Sequence, residues 1–516
     1  MIKITTISNY KYNKNILIIP AIIAFIVSLL LLYKYTYPIS WDVYYHVHMI
    51  NLYLEKGLVF WDYETVAPVG RLIMYPPLFH LILAGLSKIT NILPMELAKL
   101  LQPLFAFYLI GVITYVGYKL SDAFTGFVTG LIAMLCFVTF NRSVICTPAT
   151  IAIGLSMLSC LYLYLGINQD KIKYYIISSI CLALVCNLHM ATALISIGVL
   201  GLYGLIQLFK KNLNITYLFI YLVFFVILGL PWWIYIYLNY KLMFNSIGGN
   251  PLLLTKFFIN YFGITPTILT IMGVYDLYKE KSDKSIFLIV WALSIVLLSQ
   301  INYLGFETVS IRILEVASYP LILIAGIGFV YIYDKLIKNM KLKYFILILL
   351  ILLSSLTSLV YVDDYTPDLM TENDSDNLII PQNLHILVDP MGSLYHVSII
   401  SSRYGDYNLA LNRYDVMEWF ENNTNHKLLV SQDAVMDTII VSTSKTPVVY
   451  GGFTESIPEY VVDPVHIVNN QSTSAELRDL NVGYILLYKN KTVPSYAQEV
   501  YSNDYYKICT IRTDYL

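Results

Sequence analysis

Ionisable and aromatic side chains are concentrated in residues 38–80, directly after the first long apolar run of the chain. This stretch begins PISWDVYYHVH and places His46 four residues after Asp42. If the segment is helical, both side chains lie on one face, one turn apart. The Asp42 carboxylate could then accept a proton from a hydroxyl group or ligate a cation, and His46 could orient it or contact phosphate. The alternative is an ordinary interfacial carboxylate beside the aromatic Trp41.

Two arginines each stand at the end of an apolar run, and we expect both of these ends to lie on the same side of a membrane. Guanidinium binds phosphate through paired hydrogen bonds, so Arg312 could bind the phosphate of a lipid-linked substrate. The alternatives are an ion pair with Glu315, three residues later, or snorkelling to lipid headgroups. Arg142, in the sequence NRS, is a second candidate phosphate ligand.

Three further residues are candidates for a supporting role near the same boundary. Arg71 and Tyr75 flank a Pro-Pro turn and could support the loop or contact an acceptor. Glu307, in the sequence NYLGFETVSIR, could contact a metal or the acceptor. Ionisable groups at a membrane boundary are costly and are usually functional or paired.

The composition is that of a polytopic membrane protein. Of the 516 residues, 57% are hydrophobic and 13% are charged, and the mean hydropathy is +0.64. Soluble domains carry about 25% charged residues. The net charge of −1 combines a basic first part with an acidic segment, residues 363–516, and no basic patch indicates nucleic-acid binding. The 6 cysteines predict neither a disulfide framework nor a paired-cysteine metal site.

The positions of basic residues predict the topology. Lysines precede the first apolar run, which predicts a cytoplasmic N-terminus. The later basic connectors fall on the cytoplasmic side if residues 76–90 do not span. As a helix this segment is about 22 Å long, against a hydrocarbon core of roughly 30 Å, so we expect an interfacial helix. This leaves about 11 spans within a transmembrane domain of residues 1–362, which carries an external loop, 38–90.

Residues 363–516 are predicted to form an external α/β domain. Strand-like runs alternate there with helical patterns such as STSAELRDL, which begins with a capping signal. The strand-like runs are HILVD (385–389), KLLVS (427–431), TIIVST (438–443), PVVYG (447–451), GYILLY (483–488) and YKICTIR (506–512). No glycine-rich phosphate-binding loop occurs in the segment, so a nucleotide site is not predicted.

Several of these motifs resemble those of a known group of enzymes. The run from Asp42 to His46, DVYYH, resembles the D-P-[WY]-[WY]-H signature in the first external loop of oligosaccharyltransferase catalytic subunits. The run RLIMYPPL, from Arg71, is similar to the segment that follows in those proteins and in other GT-C glycosyltransferases. FNRS, around Arg142, resembles their Y-N-R-[ST] motif, and Arg312 resembles an arginine found late in many GT-C membrane domains.

The sequence departs from the oligosaccharyltransferases at two motifs. After Arg142 the chain reads VICT where that family has D-x-D, so two expected metal ligands are absent. The W-W-D-Y-G motif is absent from residues 363–516. The resemblance therefore implies a GT-C enzyme without that metal pair, in which Asp42 is the general base. No cofactor is predicted, and the metal dependence stays open.

The resemblance implies an integral-membrane glycosyltransferase of the cell membrane. It would transfer a sugar from a polyprenyl-phosphate-linked donor to a glycan, lipid or protein acceptor on the outer face. One alternative is a divergent oligosaccharyltransferase acting on asparagine. Another is a non-catalytic protein of the same fold that binds lipid-linked glycans or assists their assembly.

Overall fold

The computed structural model describes residues 14–515 apart from short gaps. These gaps are 241–251, 307, 366, 375–376, 382, 384, 386–394 and 452–460, and for 395–406 the backbone alone is described. The candidate residue Glu307 therefore lies outside the described residues.

Helices follow one another up to residue 363, and prolines begin several of them. Pro94, Pro148 and Pro231 each stand in a first turn, where the missing N–H of proline costs nothing. The helices are α1 (Ile19–Lys34, after the 3₁₀ turn Lys14–Ile18), α2 (Trp41–Lys56), α3 (Leu78–Thr90), α4 (Pro94–Leu120), α5 (Ala123–Leu135), α6 (Phe137–Ser143), α7 (Pro148–Gln169), α8 (Ile172–Cys186), α9 (Met190–Phe209), α10 (Ile215–Gly229), α11 (Pro231–Asn239), α12 (Leu254–Lys256, continued by the π-helix Phe257–Phe262), α13 (Ile264–Glu280), α14 (Asp283–Leu298), α15 (Ser310–Tyr331, after the 3₁₀ turn Ile301–Leu304 and before the π-helix Ile332–Leu336) and α16 (Met340–Asp363).

The helix lengths agree with a polytopic membrane protein. Within the described residues, 6 helices are long and apolar enough to cross a membrane, or up to 9 if each bent pair counts as one span. The pairs α5–α6, α10–α11 and α12–α13 bend by 89°, 57° and 116°. Two further helices in predicted runs, α8 and α14, have 15 and 16 residues. The count of about 11 spans stays a prediction, since it requires both shorter helices to cross.

The segment predicted to be an interfacial helix contains α3, which has 13 residues. At 1.5 Å per residue α3 is about 20 Å long, which is short of the hydrocarbon core. It ends at Asn91 in the left-handed conformation (φ +56°), a common way for a helix to stop.

The C-terminal segment is built around a mixed four-stranded sheet, which confirms the predicted α/β class. The strand order is β3-β4-β6-β5, with β3 and β4 parallel and the other pairs antiparallel. The strands are β3 (Leu428–Val430), β4 (Val482–Tyr488), β5 (Ala497–Ser502) and β6 (Tyr506–Ile511), and the helices are α17 (Tyr395–Asn423), α18 (Ala434–Ser444), α19 (Pro464–Val468) and α20 (Ser474–Asp479). A two-stranded pair in the first loop is formed by β1 (Trp61–Asp62) and β2 (Arg71–Leu72).

Two of the predicted strands are not formed. The run PVVYG, 447–451, contributes only an isolated bridge at Val448, and a second run is helical. The run TIIVST, 438–443, lies inside α18. Asp433 caps this helix by accepting hydrogen bonds from the backbone N–H groups of Val435 and Met436. The branched side chains of the run favour strands weakly, and packing in the core overrides that preference. The predicted strand at 385–389 lies outside the described residues from residue 386 onward.

The first loop is hydrogen-bonded to the C-terminal segment. The backbone of Val448 accepts from Ala67 N–H and donates to Glu64 C=O, both at 2.9 Å. Val448 also forms a parallel bridge with Leu429 of β3. The loop that follows α2 therefore pairs with the sheet region of the C-terminal segment. The helix α2 itself contacts helices of both the first part of the chain and this segment.

Candidate active site

Asp42 is a buried carboxylate with one oxygen still available. It lies in the first turn of α2 and is 8% exposed. Its Oδ2 lies 3.5 Å from Nη2 of Arg312. No described residue makes a hydrogen bond to its Oδ1. A buried acceptor without a partner is costly and rare in native proteins, so this oxygen is a candidate for contact with a substrate.

Arg312 offers unused hydrogen-bond donors beside Asp42. It lies in the first turn of α15, and its side chain is 54% exposed. Its Nη1 lies 3.8 Å from Oε2 of Glu315, so both carboxylates are ion-pair partners. Among the described residues, none accepts a hydrogen bond from its guanidinium group. An anion could therefore bind Arg312 without breaking a hydrogen bond.

Glu315 joins the two arginines. The buried Arg142 donates to both of its carboxylate oxygens, with Nη2 3.1 Å from Oε2 and a second hydrogen bond from Nε to Oε1. The predicted pairing of Arg312 with Glu315 is thus present, but Glu315 is bound more tightly by Arg142. The spacing of Arg312 and Glu315 gave no signal for this second contact, because Arg142 lies 173 residues earlier.

The four side chains form one charge-balanced group from three helices. Asp42 comes from α2, Arg142 from α6, and both Arg312 and Glu315 from α15. Two negative and two positive charges lie in contact. Pairing offsets much of the desolvation cost of burying such charges. The structure thus brings together three of the residues that the sequence proposed for the site.

His46 lies one turn after Asp42 on α2, and its ring is held by α3. Its Nδ1 lies 2.9 Å from Nε2 of His80, and both rings are buried. Burial lowers the pKa of both imidazoles, that of His80 to about 3. The pair is therefore neutral at physiological pH, which suits a hydrogen bond from one ring to the other.

Arg71 and Tyr75 pack against neighbouring aromatic rings of α2, Arg71 against Tyr45 and Tyr75 against His46. The Arg71 guanidinium lies 5.1 Å above the ring of Tyr45, and the side chain is buried. The Tyr75 ring lies 5.3 Å from the ring of His46 and 6.2 Å from that of His189. Both candidate supporting residues thus lie next to α2, and Tyr75 joins it to the N-terminus of α9.

The residues that follow Arg142 lack the two metal-ligating aspartates of the D-x-D motif of oligosaccharyltransferases. Val144, Ile145 and Cys146 are buried and offer no carboxylate. Within the described part of the chain, no group of three or more histidine, cysteine or acidic side chains is arranged to hold a metal ion.

Comparisons with known proteins agree in the fold. No model of a known protein family matches the chain, and no curated protein matches it in sequence. Among solved structures, it is similar to ArnT of Cupriavidus metallidurans bound to undecaprenyl phosphate, with a TM-score of 0.58 at 12% identity over 98% of this chain and 99% of that one. The apo oligosaccharyltransferase of Archaeoglobus fulgidus matches with a TM-score of 0.58 at 12% identity over 93% of this chain and 70% of that one.

A third solved structure extends the comparison to another enzyme. The arabinofuranosyltransferase AftD of mycobacteria matches with a TM-score of 0.52 at 12% identity, and 97% of this chain spans 40% of that one. The chain therefore has the fold of the GT-C glycosyltransferases. It is a membrane protein with a helical part followed by a domain that carries a mixed sheet.

Proposed function

We propose that the protein is a membrane glycosyltransferase that takes a sugar from a polyprenyl-phosphate-linked donor and transfers it to an acceptor. The observation that carries this proposal is the pairing of Asp42 with Arg312. A buried carboxylate oxygen, to which no described residue makes a hydrogen bond, lies beside a guanidinium group whose hydrogen-bond donors are likewise unused by the described residues. The first can accept a proton and the second can bind a phosphate.

The reaction is a single inverting displacement. The acceptor oxygen attacks the anomeric carbon of the sugar as the bond between that carbon and the phosphate oxygen breaks. The bonding electrons leave with the phosphate, which Arg312 stabilises, and Oδ1 of Asp42 takes the acceptor proton. Arg142 fixes Glu315, and Glu315 in turn limits the orientations of Arg312.

The donor class is supported by the ligands of two structural neighbours. One ArnT structure contains undecaprenyl phosphate, and one structure of the archaeal oligosaccharyltransferase AglB contains a dolichol-phosphate and an inhibitory peptide. Both ligands are polyprenyl phosphates. The acceptor is a glycan, a lipid or a protein, and the peptide in AglB keeps transfer to asparagine among the alternatives.

The proposed arrangement places the reaction on the outer face of the cell membrane. A transmembrane domain of residues 1–362 is followed by an external domain of residues 363–516, and the N-terminus is cytoplasmic. The end of α16 at Asp363 agrees with this division. The loop 38–90 then lies between the membrane and the external domain.

The experiment that tests this function measures both binding and turnover. Purified protein is incubated with a labelled pool of undecaprenyl-phosphate-linked sugars and with membrane extracts as acceptors. The proposal expects labelled product together with release of undecaprenyl phosphate. Binding of the donor without release in any acceptor fraction would contradict it and favour a lipid-glycan binding protein.

A further inference from the structure

The N-terminus of α2 is capped by a residue that lies 327 positions later in the chain. The backbone N–H of Trp41, the first residue of α2, donates to Oδ2 of Asp368 at 2.7 Å. Ser40, in the usual capping position, makes no side-chain hydrogen bond to the helix. The first N–H groups of a helix have no partner within it, so Asp368 supplies a missing acceptor. Its negative charge is also favourable at this end of the helix dipole.

Asp368 is itself fixed by the external domain. Its Oδ1 accepts a hydrogen bond from Nη1 of Arg413 in α17 at 3.2 Å, and the two side chains are 20% and 14% exposed. Arg413 lies against Tyr506 of β6. The Tyr506 hydroxyl donates to Asp433, which caps α18, at 2.8 Å. A continuous polar network thus runs from the sheet of the external domain to the first turn of α2.

Two further contacts hold α2 against the same domain. Tyr44 lies in the apolar core of the external domain, beside Leu369 and Met417. Asn51 donates to the backbone oxygen of Ser442 in α18 at 3.0 Å. The helix is therefore held at its start and along its length, and the contact at its start is one residue from Asp42.

We propose that Asp368 is a positioning residue for Asp42, so that the docked external domain sets the geometry of the site. This inference rests on the proposed role of Asp42 as the base. Without the acceptor of Asp368, the first turn of α2 frays and Asp42 turns away from Arg312. Small displacements of a catalytic group cost large factors in rate, so a cap next to the base governs turnover rather than donor binding.

The test compares Asp368→Ala, Asp368→Asn and the control Asp374→Ala in the full-length protein. Asp374 lies six residues after Asp368 in the chain. Its carboxylate accepts a hydrogen bond from the N–H of Thr36, just before α2, at 2.8 Å. Hydrogen exchange is measured over residues 41–45, and carbodiimide labelling of Asp42 is read by mass spectrometry. Asp368→Ala is expected to speed exchange roughly 2- to 30-fold and to raise the labelling. Asp374→Ala leaves α2 untouched and should match wild type. Asp368→Asn keeps one acceptor oxygen but replaces the other with an amide donor that faces either Trp41 N–H or Arg413, so its exchange and labelling should lie between those of wild type and Asp368→Ala.

The outcomes separate this inference from the proposed function. With an undecaprenyl-phosphate-linked sugar as donor, Asp368→Ala should lower kcat about 10-fold or more with little change in KM. Unchanged labelling of Asp42 in Asp368→Ala would overturn the inference, whether or not the wild type transfers sugar. Faster exchange without more labelling would also overturn it, since Asp368 would then be only a helix cap. A wild type without transfer would contradict the function, while the labelling still decides the position of Asp42.

A second variant covers the case in which Asp368→Ala does not fold. Arg413→Gln removes the cation that orients Asp368 and leaves every residue of α2 in place. The same rise in labelling of Asp42 is expected, and wild-type labelling would overturn the inference.

Discussion

Among single residues, Arg312 favours a phosphate ligand most, because no described residue accepts a hydrogen bond from its guanidinium group. We expect Arg312→Lys to keep the charge and lose the planar fork. Loss of a charge-assisted hydrogen bond costs about 1.5–3 kcal/mol, so the affinity for undecaprenyl phosphate should fall about 10- to 150-fold. Titration of the purified protein with that lipid measures the change, with the exposed Arg512→Lys as control. An unchanged affinity would leave Arg312 as a partner of Asp42 and Glu315 alone.

The pairing of Glu315 with the buried Arg142 predicts that loss of the Glu315 charge destabilises the fold, which the sequence alone did not indicate. Glu315→Gln leaves the buried Arg142 without its counter-charge, and breaking a buried pair costs about 3 kcal/mol or more. We expect a clear fall in Tm in detergent. The control is Glu280→Gln, which removes an i,i+4 pair with Lys284 whose side chains are 40% and 20% exposed. Surface pairs contribute about 0.5 kcal/mol, so Glu280→Gln should lower Tm only slightly. A fall in Tm as small as this in Glu315→Gln would contradict the stabilising role of the buried pair.

The sequence indicated the charged residues of the site and the pairing of Arg312 with Glu315, but not the pairings between distant helices. Asp42, Arg142 and Arg312 each stand near the end of an apolar run. Burying a charge there is costly, so a charged residue at such a position indicates a functional or paired group. The partners of Arg142 and Trp41 lie 173 and 327 residues away along the chain. Contacts at such separations depend on the packing of whole helices, which one sequence does not specify.

At the scale of elements, the sequence predicted most helices and several strands correctly. Long apolar runs carry a strong signal, and β3, β4 and β6 lie where alternating or apolar runs indicated them. The sequence does not indicate the strand β5, AQEVYS, because half of its residues are exposed and two of these, Gln498 and Glu499, are polar. Residues 438–443 of α18 favour a strand locally, and packing against α2 and the sheet overrides that preference.

The proposed topology, in which the connector between α13 and α14 is cytoplasmic, predicts a labelling pattern. We expect Lys279→Cys to stay unlabelled by a membrane-impermeant maleimide in intact cells, because basic connectors remain inside. The background should be low, since all six native cysteines are buried. Lys489→Cys, at an exposed position of the C-terminal domain that we propose to be external, serves as the labelled control. Labelling of Lys279→Cys in intact cells would contradict the topology.

At the scale of the whole molecule, a buried charge cluster joins the end of α1, the end of α16 and the segment that follows. Lys34 Nζ lies 3.1 Å from Oδ1 of Asp363, and His385 Nδ1 lies 3.2 Å from Oδ1 of Asp364. Burial alone would lower the pKa of His385, but its bonds to Asp363 and Asp364 outweigh that effect and raise it to about 9.

This cluster predicts that stability falls in mildly alkaline solution. The charge on His385 stabilises the folded state fully below the unfolded pKa of about 6.5, and the contribution is lost as the pH rises through about 9. The loss should reach about 3 kcal/mol in the free energy of unfolding. Thermal unfolding between pH 6 and about 9.5 should show a falling Tm in the wild type and a flatter profile in His385→Gln. Parallel profiles would contradict the assignment.

Turnover by Asp42→Asn shows whether Asp42 is the base. The change is nearly isosteric, so folding and binding of undecaprenyl phosphate should survive while the base is lost. A well-placed base contributes roughly 10²–10⁴ in rate, and we predict that sugar transfer falls by that factor. Glu55→Gln, on the exposed end of the same helix, should retain wild-type transfer. Equal transfer by Asp42→Asn and wild type, with product clearly formed, would contradict the assignment of Asp42 as the base.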